Sequence, residues 1–186
     1  MRIIGGEARG RRLFAPDGTD TRPTADKTRE ALFSIIAFDI PDANVLDLFG
    51  GTGALALEAL SRGAAFAAVS DVSPQAVKII HKNAETVLRD EIGTRIKILK
   101  ADYKKAISAL CGKKFDIVFL DPPYKMADSY KDCVDRLIGG NMLSEECLIV
   151  MERSKEISIT LDERMEIFDT RLYRDTAIDF ARWRKA

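Results

Sequence analysis

From residue 43 onward the chain alternates between short apolar segments and longer amphipathic segments. The apolar segments are rich in β-branched residues and predict five strands, at residues 44–50, 65–70, 95–100, 115–120 and 146–152. The amphipathic segments predict four helices, at residues 53–62, 73–90, 103–111 and 128–138. This alternation is typical of a mostly parallel sheet in which helices connect successive strands.

Different patterns flank this region. "MEIFDTRLYR" and "TAIDFARWR" predict two longer strands that meet at a turn through Asp175. At the other end, "MRIIGGEARGRRLFAP" predicts a short hairpin that contains glycine, and a helix follows it. We therefore predict a single α/β domain with a seven-stranded, mostly parallel sheet and an antiparallel C-terminal strand pair. Residues 1–40 are predicted to form an N-terminal hairpin and helix extension of a core at residues 43–186.

The charges cancel overall but are unevenly distributed. The chain has 29 Lys and Arg residues and 29 Asp and Glu residues, yet residues 1–29 and residues 171–185 each carry a net charge of +3. The middle of the chain is therefore acidic. The two basic ends predict a local surface that can bind phosphate groups.

The three cysteines, Cys111, Cys133 and Cys147, are far apart and belong to no Cys/His cluster. Their spacing predicts neither a disulfide framework nor a zinc site. No apolar run approaches the roughly 18 residues that a membrane span needs. We therefore expect a cytoplasmic protein that has no metal and does not contact a membrane.

Three glycines mark the change from the first strand to the first helix in "VLDLFGGTGALALEA". They are Gly50, Gly51 and Gly53. Glycine allows a tight turn and the close approach of the backbone to a ligand, and the first turn of a helix has unpaired amide groups. The motif therefore predicts that a small molecule binds over this turn.

Three aspartates at strand ends narrow the choice of ligand. Asp71 ends the second predicted strand, where it can accept both hydroxyls of a ribose, and this leaves NAD and an adenosine that carries a sulfonium both open. Asp47 favours the sulfonium compound, because a carboxylate directly before the turn repels a pyrophosphate but suits an ammonium group. Asp102 follows the third strand, where it can accept a hydrogen bond from the adenine amine.

The sequence Asp121-Pro122-Pro123-Tyr124 follows the fourth strand directly. In a doubly wound sheet this strand lies beside the first, so the four residues face the same crevice as the glycines. The two prolines offer carbonyl groups and no amide donors, and Asp121 adds a carboxylate. Tyr124 adds a ring on which a planar base can stack. These properties predict a catalytic site for a heterocycle with an exocyclic amine, which would attack a methyl group.

The combination of "DLFGGTG" with "DPPY" resembles amino-methyltransferases that use S-adenosylmethionine and act on nucleic-acid bases. More narrowly, "MRIIGGEARGRRL", "RPTADKTREALF" and "LEALSRGA" resemble the RsmD family, which methylates N2 of one guanine in bacterial 16S ribosomal RNA. The resemblance implies a Rossmann-like class I methyltransferase fold and S-adenosylmethionine as the cofactor. It further implies that the partner is 16S rRNA or the small ribosomal subunit. We expect a monomer.

Individual roles follow from the resemblance. It implies that the cofactor is lined by Asp47, Gly51, Gly53, Asp71 and Asp102, and that residues 121–124 hold the guanine amine. Two groups of basic residues are candidates for substrate RNA: Arg9, Arg11 and Arg12 on the predicted hairpin, and Arg22, Lys27 and Arg29 on and before the predicted helix. The second group can alternatively bind the cofactor carboxylate.

Other functions remain open from the residues themselves. The same chemistry can act on adenine N6 or on a protein glutamine, although a glutamine enzyme would be expected to have Asn in place of Asp121. An NAD-dependent oxidoreductase would explain the glycines but gives Asp-Pro-Pro-Tyr no role. A non-catalytic RNA-binding module would explain the basic ends but not the crevice.

Overall fold

The computed structural model describes residues 1–16, 23–123, 126 and 128–185. Within this part of the chain, seven strands form one sheet: β1 (Asn44–Asp47), β2 (Phe66–Asp71), β3 (Ile96–Lys100), β4 (Phe115–Leu120), β5 (Leu143–Ser154), β6 (Met165–Tyr173) and β7 (Thr176–Trp183). The helices are α1 (Pro23–Ile35), α2 (Ala54–Ser61), α3 (Pro74–Leu88), α4 (Ile92–Arg95), α5 (Tyr103–Ala109) and α6 (Ser129–Gly139). None of these described helices has the length and apolar character needed to cross a membrane.

The strand order is β3-β2-β1-β4-β5-β7-β6. Strands β1 to β5 are parallel to one another, and β7 runs antiparallel to both of its neighbours, β5 and β6. The predicted sheet with its antiparallel C-terminal pair is confirmed. The first strand, β1, lies in the middle of the sheet, with β2 and β3 on one side and β4 and β5 on the other. The strand order reverses between β1 and β4, and the carboxyl ends of these two strands lie side by side at this switch point.

Alternating strand residues build one apolar core on each side of the sheet. Val45 and Ile117 pack with the N-terminal segment and helices α1 to α3 on what we call the α2 face. Leu46 and Val118 pack with α5 and α6 on what we call the α5 face. The strands therefore read as continuous apolar runs because both faces of the sheet are covered.

Local sequence signals fix two helix starts at the carboxyl edge of the sheet. The Ser73 side chain accepts a hydrogen bond from the Ala76 amide, and Pro74 occupies the first helical position of α3. Asp102 caps α5 in the same way, because its carboxylate accepts a hydrogen bond from the Lys105 amide at 2.9 Å.

The N-terminal segment forms a minimal hairpin whose arms meet at one antiparallel bridge, between Arg2 and Arg12. Its turn packs against the end of α2, where the Glu7 amide donates to the Ser61 carbonyl at 2.8 Å. Glu58, fully buried in α2, accepts hydrogen bonds from the amides of Ile4 and Gly5, both at 2.8 Å. The segment is therefore attached to α2 by both backbone and side-chain hydrogen bonds.

Candidate active site

The glycine turn connects β1 to α2 at the carboxyl edge of the sheet. Gly51 and Gly53 have φ angles of 55° and 77°, in the left-handed region that favours glycine. A Cβ atom on Gly50 would lie 2.4 Å from the Val69 side chain, so packing against β2 excludes any larger residue there. The Gly50 amide donates to the Ser70 carbonyl at 2.8 Å. The three predicted glycines are therefore required by backbone conformation or by packing.

Asp71, at the end of β2, supports this turn directly. Its carboxylate accepts hydrogen bonds from the Gly51 amide at 2.9 Å and from the Ser73 amide at 2.8 Å. The side chain remains half-buried. Since each carboxylate oxygen has two lone pairs, Asp71 can still accept hydrogen bonds from ligand hydroxyls.

Asp47, the last residue of β1, is buried beneath the turn. The pKa of Asp47 is raised to about 7, chiefly by burial and also by the nearby Asp71 carboxylate, while amide donors at Phe49 and Ala56 oppose the shift. The Phe49 amide lies 3.3 Å from one carboxylate oxygen. A buried acid of this kind is well suited to attract a cation.

The strand order places the predicted acids in one row. Strands β3, β2, β1 and β4 are consecutive, and their carboxyl ends carry Asp102, Asp71, Asp47 and Asp121 respectively. Asp102 is half-buried, and one of its oxygens is used for the cap of α5. The row combines carboxylates with a turn rich in amide groups, which suits a ligand that has both hydroxyl and cationic groups.

Asp121 follows β4 directly, and β4 pairs with β1 so that Phe119 lies opposite Asp47. Asp121 is exposed to solvent as a residue. Desolvation of its carboxylate nevertheless raises the pKa of Asp121, and the Glu152 carboxylate and then Asp47 contribute to the same shift. Among the described residues nothing donates a hydrogen bond to the Asp121 side chain. Its oxygens are therefore available to a ligand.

The two prolines differ in their surroundings. Pro122 is buried, whereas Pro123 is exposed and its carbonyl accepts a hydrogen bond from the Met126 amide at 2.8 Å. The Pro123 carbonyl therefore already has one partner in a local turn, whereas no described residue donates to the Pro122 carbonyl. The predicted stacking residue Tyr124 lies outside the described residues.

Sequence reasoning missed Glu152, which lies on β5 beside the end of β4. Burial raises the pKa of Glu152. Its own carbonyl accepts a hydrogen bond from the hydroxyl of the buried Tyr130 at 2.5 Å. One signal in the sequence could have identified Glu152: it comes directly after the apolar run of the fifth strand, and functional residues often lie at the carboxyl ends of parallel strands.

The basic candidates separate into two groups. Arg9, Arg12 and Lys27 are exposed. Arg11 is turned inward, and its guanidinium donates to the carbonyls of Thr86 and Val87 at the end of α3, both at 2.8 Å. The end of the helix therefore already uses the Nη1 donors of Arg11, and an RNA contact through its remaining donors stays a prediction.

Arg29 is also a structural residue. It is 6% exposed, and its guanidinium donates to the Arg2 carbonyl at 2.6 Å and to Asp26 at 3.0 Å. Desolvation lowers the pKa of Arg29 despite the nearby carboxylates of Asp26 and Glu58. Burial therefore removes Arg29 from the surface that RNA can reach. Arg22 lies outside the described residues.

The described residues contain no group of three or more His, Cys, Asp or Glu side chains that could hold a metal ion. The acids of the row are spread across neighbouring strands instead of converging on one point. This linear arrangement along the edge of the sheet suits an extended ligand.

Comparisons with known proteins agree with this geometry. A family model described as "Conserved hypothetical protein 95" matches residues 1–182. "Ribosomal RNA small subunit methyltransferase D" of Escherichia coli is 37% identical, over 84% of this chain and 76% of that protein. "Putative rRNA methyltransferase YlbH" of Bacillus subtilis is 35% identical, over 86% and 85%.

A solved structure from Escherichia coli, described as "Putative methyltransferase yhhF", superposes with a TM-score of 0.83 and 32% identity. The superposition covers 98% of this chain and 97% of that chain. The similarity therefore includes the N-terminal segment as well as the sheet.

Proposed function

The chain belongs to the family of ribosomal RNA small subunit methyltransferase D, and from this premise we propose that it methylates the exocyclic N2 amine of a guanine in small-subunit ribosomal RNA. The observation that carries the proposal is the position of Asp121. Its carboxylate lies at the switch point beside the glycine turn, and no described residue donates a hydrogen bond to it. An amine that donates two hydrogens fits this site.

The residues of the crevice fit S-adenosylmethionine. Asp71 suits the ribose hydroxyls, Asp102 suits the adenine amine, and Asp47 suits the cationic methionine end. Gly51 and Gly53 allow the backbone to approach the ligand closely. The three carboxylates would repel a pyrophosphate, and this disfavours NAD. Calorimetric titration with S-adenosylhomocysteine and with NAD tests the assignment, which fails if only NAD binds.

When bound, S-adenosylmethionine supplies a methyl group activated by a sulfonium. Asp121 and the Pro122 carbonyl hold the two hydrogens of the guanine amine, which orients the nitrogen lone pair and reduces its delocalisation into the ring. Methyl transfer would replace the methyl–sulfur bond by a new N–C bond and leave a neutral thioether, and the resulting cationic nitrogen would have an acidic proton. Asp121 can accept that proton, since its raised pKa makes it a better base than an ordinary aspartate.

The base must leave its stack to reach this site, which costs least in a single-stranded RNA loop. We propose from the motif that Tyr124 stacks on the extruded guanine. Tyr124→Phe should then have little effect because the ring face remains, whereas Tyr124→Ala should reduce kcat/KM. Equal damage in both variants would assign the role to the hydroxyl.

We also propose that RNA phosphates contact the exposed cations Arg9 and Arg12. The turn that carries Arg9 packs at the far end of α2, about 12 Å along the helix from the glycine turn. Such contacts position the RNA without reading its bases. Replacing both residues by alanine should lower the slope of log affinity against log salt by about 1.5 and leave cofactor affinity unchanged. The exposed pair Lys97 and Lys113 is the matched control, and an unchanged slope in the arginine variant would refute the proposal.

The decisive experiment uses labelled S-adenosylmethionine and small ribosomal subunits from a strain that lacks the enzyme. We expect label on one guanine, as N2-methylguanine after digestion. Label on adenine N6, or on protein alone, would overturn the proposed substrate. The same subunits stripped of protein distinguish naked rRNA from the assembled particle as the substrate.

A further inference from the structure

Two carboxylates lie side by side at the carboxyl ends of β4 and β5. Leu120 pairs with Met151 in the parallel register of these strands, so Asp121 and Glu152 occupy the next position along the chain. Leu120 and Met151 both pack into the core on the α5 face. Because side chains alternate along a strand, the next residues turn toward the α2 face. Asp121 and Glu152 therefore point to the same side of the sheet.

Asp47 completes this arrangement on β1. It lies opposite Phe119, which packs on the α2 face, so its carboxylate is on the same side as the other two. Both Asp47 and Glu152 contribute to the raised pKa of Asp121, in agreement with their proximity. Three neighbouring strands thus carry acids on the same side of the sheet, with Asp121 next to both Asp47 and Glu152.

Glu152 has no partner within the described part of the protein. No hydrogen bond or ion pair reaches its carboxylate there, although it is half-buried. Asp179 on the neighbouring strand β7 provides a contrast, because Arg153 and Thr170 both bind its carboxylate. Two neighbouring unpartnered carboxylates repel each other, and a proton or a ligand that supplies hydrogens to both relieves this repulsion.

The edge of the substrate base decides which ligand can do this. Guanine has an N1–H donor directly beside its N2 amine, so this edge offers hydrogens to two neighbouring acceptors. Adenine and cytosine have an acceptor nitrogen beside the exocyclic amine, and a glutamine side chain has a carbonyl oxygen there. A second carboxylate next to Asp121 is satisfied by guanine and repels each of the others.

We propose that the Glu152 carboxylate accepts the N1–H hydrogen of the target guanine, while Asp121 and the Pro122 carbonyl hold the N2 amine. Glu152 is then the residue that selects guanine over adenine. This inference rests on the proposed function and adds to it the means of base selection.

The test compares guanine with 2-aminopurine, which keeps the 2-amine but has an acceptor at N1. Small subunits are assembled in vitro from 16S rRNA that carries either base at the mapped target nucleotide. The wild-type protein should prefer guanine, and Glu152→Gln should reduce this preference by about tenfold or more in kcat/KM. The reason is that a glutamine amide can donate to the N1 of 2-aminopurine. The loss of O6 in 2-aminopurine affects both proteins equally and cancels in the ratio.

Glu146→Gln is the matched control, because it makes the same chemical change on β5. Glu146 is exposed and lies near the amino end of the strand, whereas Glu152 lies near the carboxyl end. Its preference should equal that of the wild-type protein. If Glu152→Gln does not fold, Glu152→Ala removes the carboxylate and should also reduce the preference for guanine over 2-aminopurine. A folded Ala variant that keeps the full preference would overturn the inference.

The outcomes separate this inference from the function on which it rests. If the wild-type protein places no methyl group on guanine N2, the proposed function fails. If it methylates guanine and Glu152→Gln keeps the full preference over 2-aminopurine, the function stands and the role of Glu152 is refuted.

Discussion

Replacing Asp71 by alanine probes the connection between the glycine turn and the proposed cofactor site. In the structure this carboxylate accepts hydrogen bonds from the amides of Gly51 and Ser73, at 2.9 and 2.8 Å. The Gly51 contact is exposed, so water can replace it, whereas the Ser73 contact is partly buried. We expect the variant to fold with a loss of about 1 kcal/mol in the free energy of unfolding.

The effect on ligand binding should be larger. Asp71 is proposed to accept hydrogen bonds from the ribose hydroxyls, and hydrogen bonds to a charged group contribute about 1.5 to 3 kcal/mol. The Kd of S-adenosylhomocysteine should therefore rise by about 10- to 150-fold. Asp71→Asn keeps one acceptor oxygen and should lie between the wild-type protein and the alanine variant.

Isothermal titration calorimetry measures the Kd, and thermal unfolding measures the stability of the same samples. Asp90→Ala serves as the control, because it removes an exposed carboxylate that follows α3, away from the glycine turn. A folded Asp71→Ala protein with wild-type affinity would refute the ribose assignment. It would also show that the turn keeps its shape without this carboxylate.

Four further predictions concern catalysis, pH and stability. Asp121→Ala should lower kcat by about 10²-fold or more at unchanged S-adenosylhomocysteine affinity, because it removes the group that aligns the amine, and an active variant would exclude the carboxylate from the mechanism. S-adenosylhomocysteine should bind more tightly as the pH rises through 7, because the pKa of Asp47 is raised to about 7 and only the charged carboxylate attracts an ammonium group. If the affinity of Asp47→Asn depends on pH in the same way, this explanation is contradicted. Because the pKa of Asp47 is 3.8 in the unfolded chain and about 7 in the folded protein, the unfolded chain releases this proton at a lower pH. Asp47 should therefore lower the free energy of unfolding as the pH rises from 3.8 toward 7. Gly6→Ala should unfold at a clearly lower temperature than Gly10→Ala. Both glycines have positive φ angles, but of the two only Gly6 would place an added Cβ atom against backbone, 1.7 Å from the Ser61 carbonyl oxygen. Equal melting temperatures of the two variants would refute the argument.

Much of the architecture follows from local signals in the sequence. The apolar runs predicted the five parallel strands, because a parallel sheet covered on both faces needs continuous apolar segments. A different pattern predicted the antiparallel C-terminal pair. The helix predicted from residue 73 begins at Pro74 with Ser73 as its cap, because a helix cap depends on neighbouring residues alone. Gly51 and Gly53 were identifiable because positive φ angles strongly favour glycine.

Strand ends were less accurate. The first strand was predicted to reach Gly50 but ends at Asp47, because the chain leaves the sheet there to form the turn. The fifth strand was predicted at residues 146–152 but extends from Leu143 to Ser154, because pairing with β7 continues it to Ser154. Pairing partners decide where a strand ends, and the sequence of one strand does not contain them.

The roles of single charged residues depended on the tertiary structure. Arg9 and Arg11 are two positions apart and look equivalent in the sequence, yet Arg9 is exposed and Arg11 binds carbonyl groups at the end of α3. Glu152 lies 31 positions after Asp121 in the chain, and only the register of β4 against β5 brings the two together. A local pattern determines which element a residue belongs to, whereas its neighbours across the sheet determine whether its charge faces solvent, another carboxylate or a substrate.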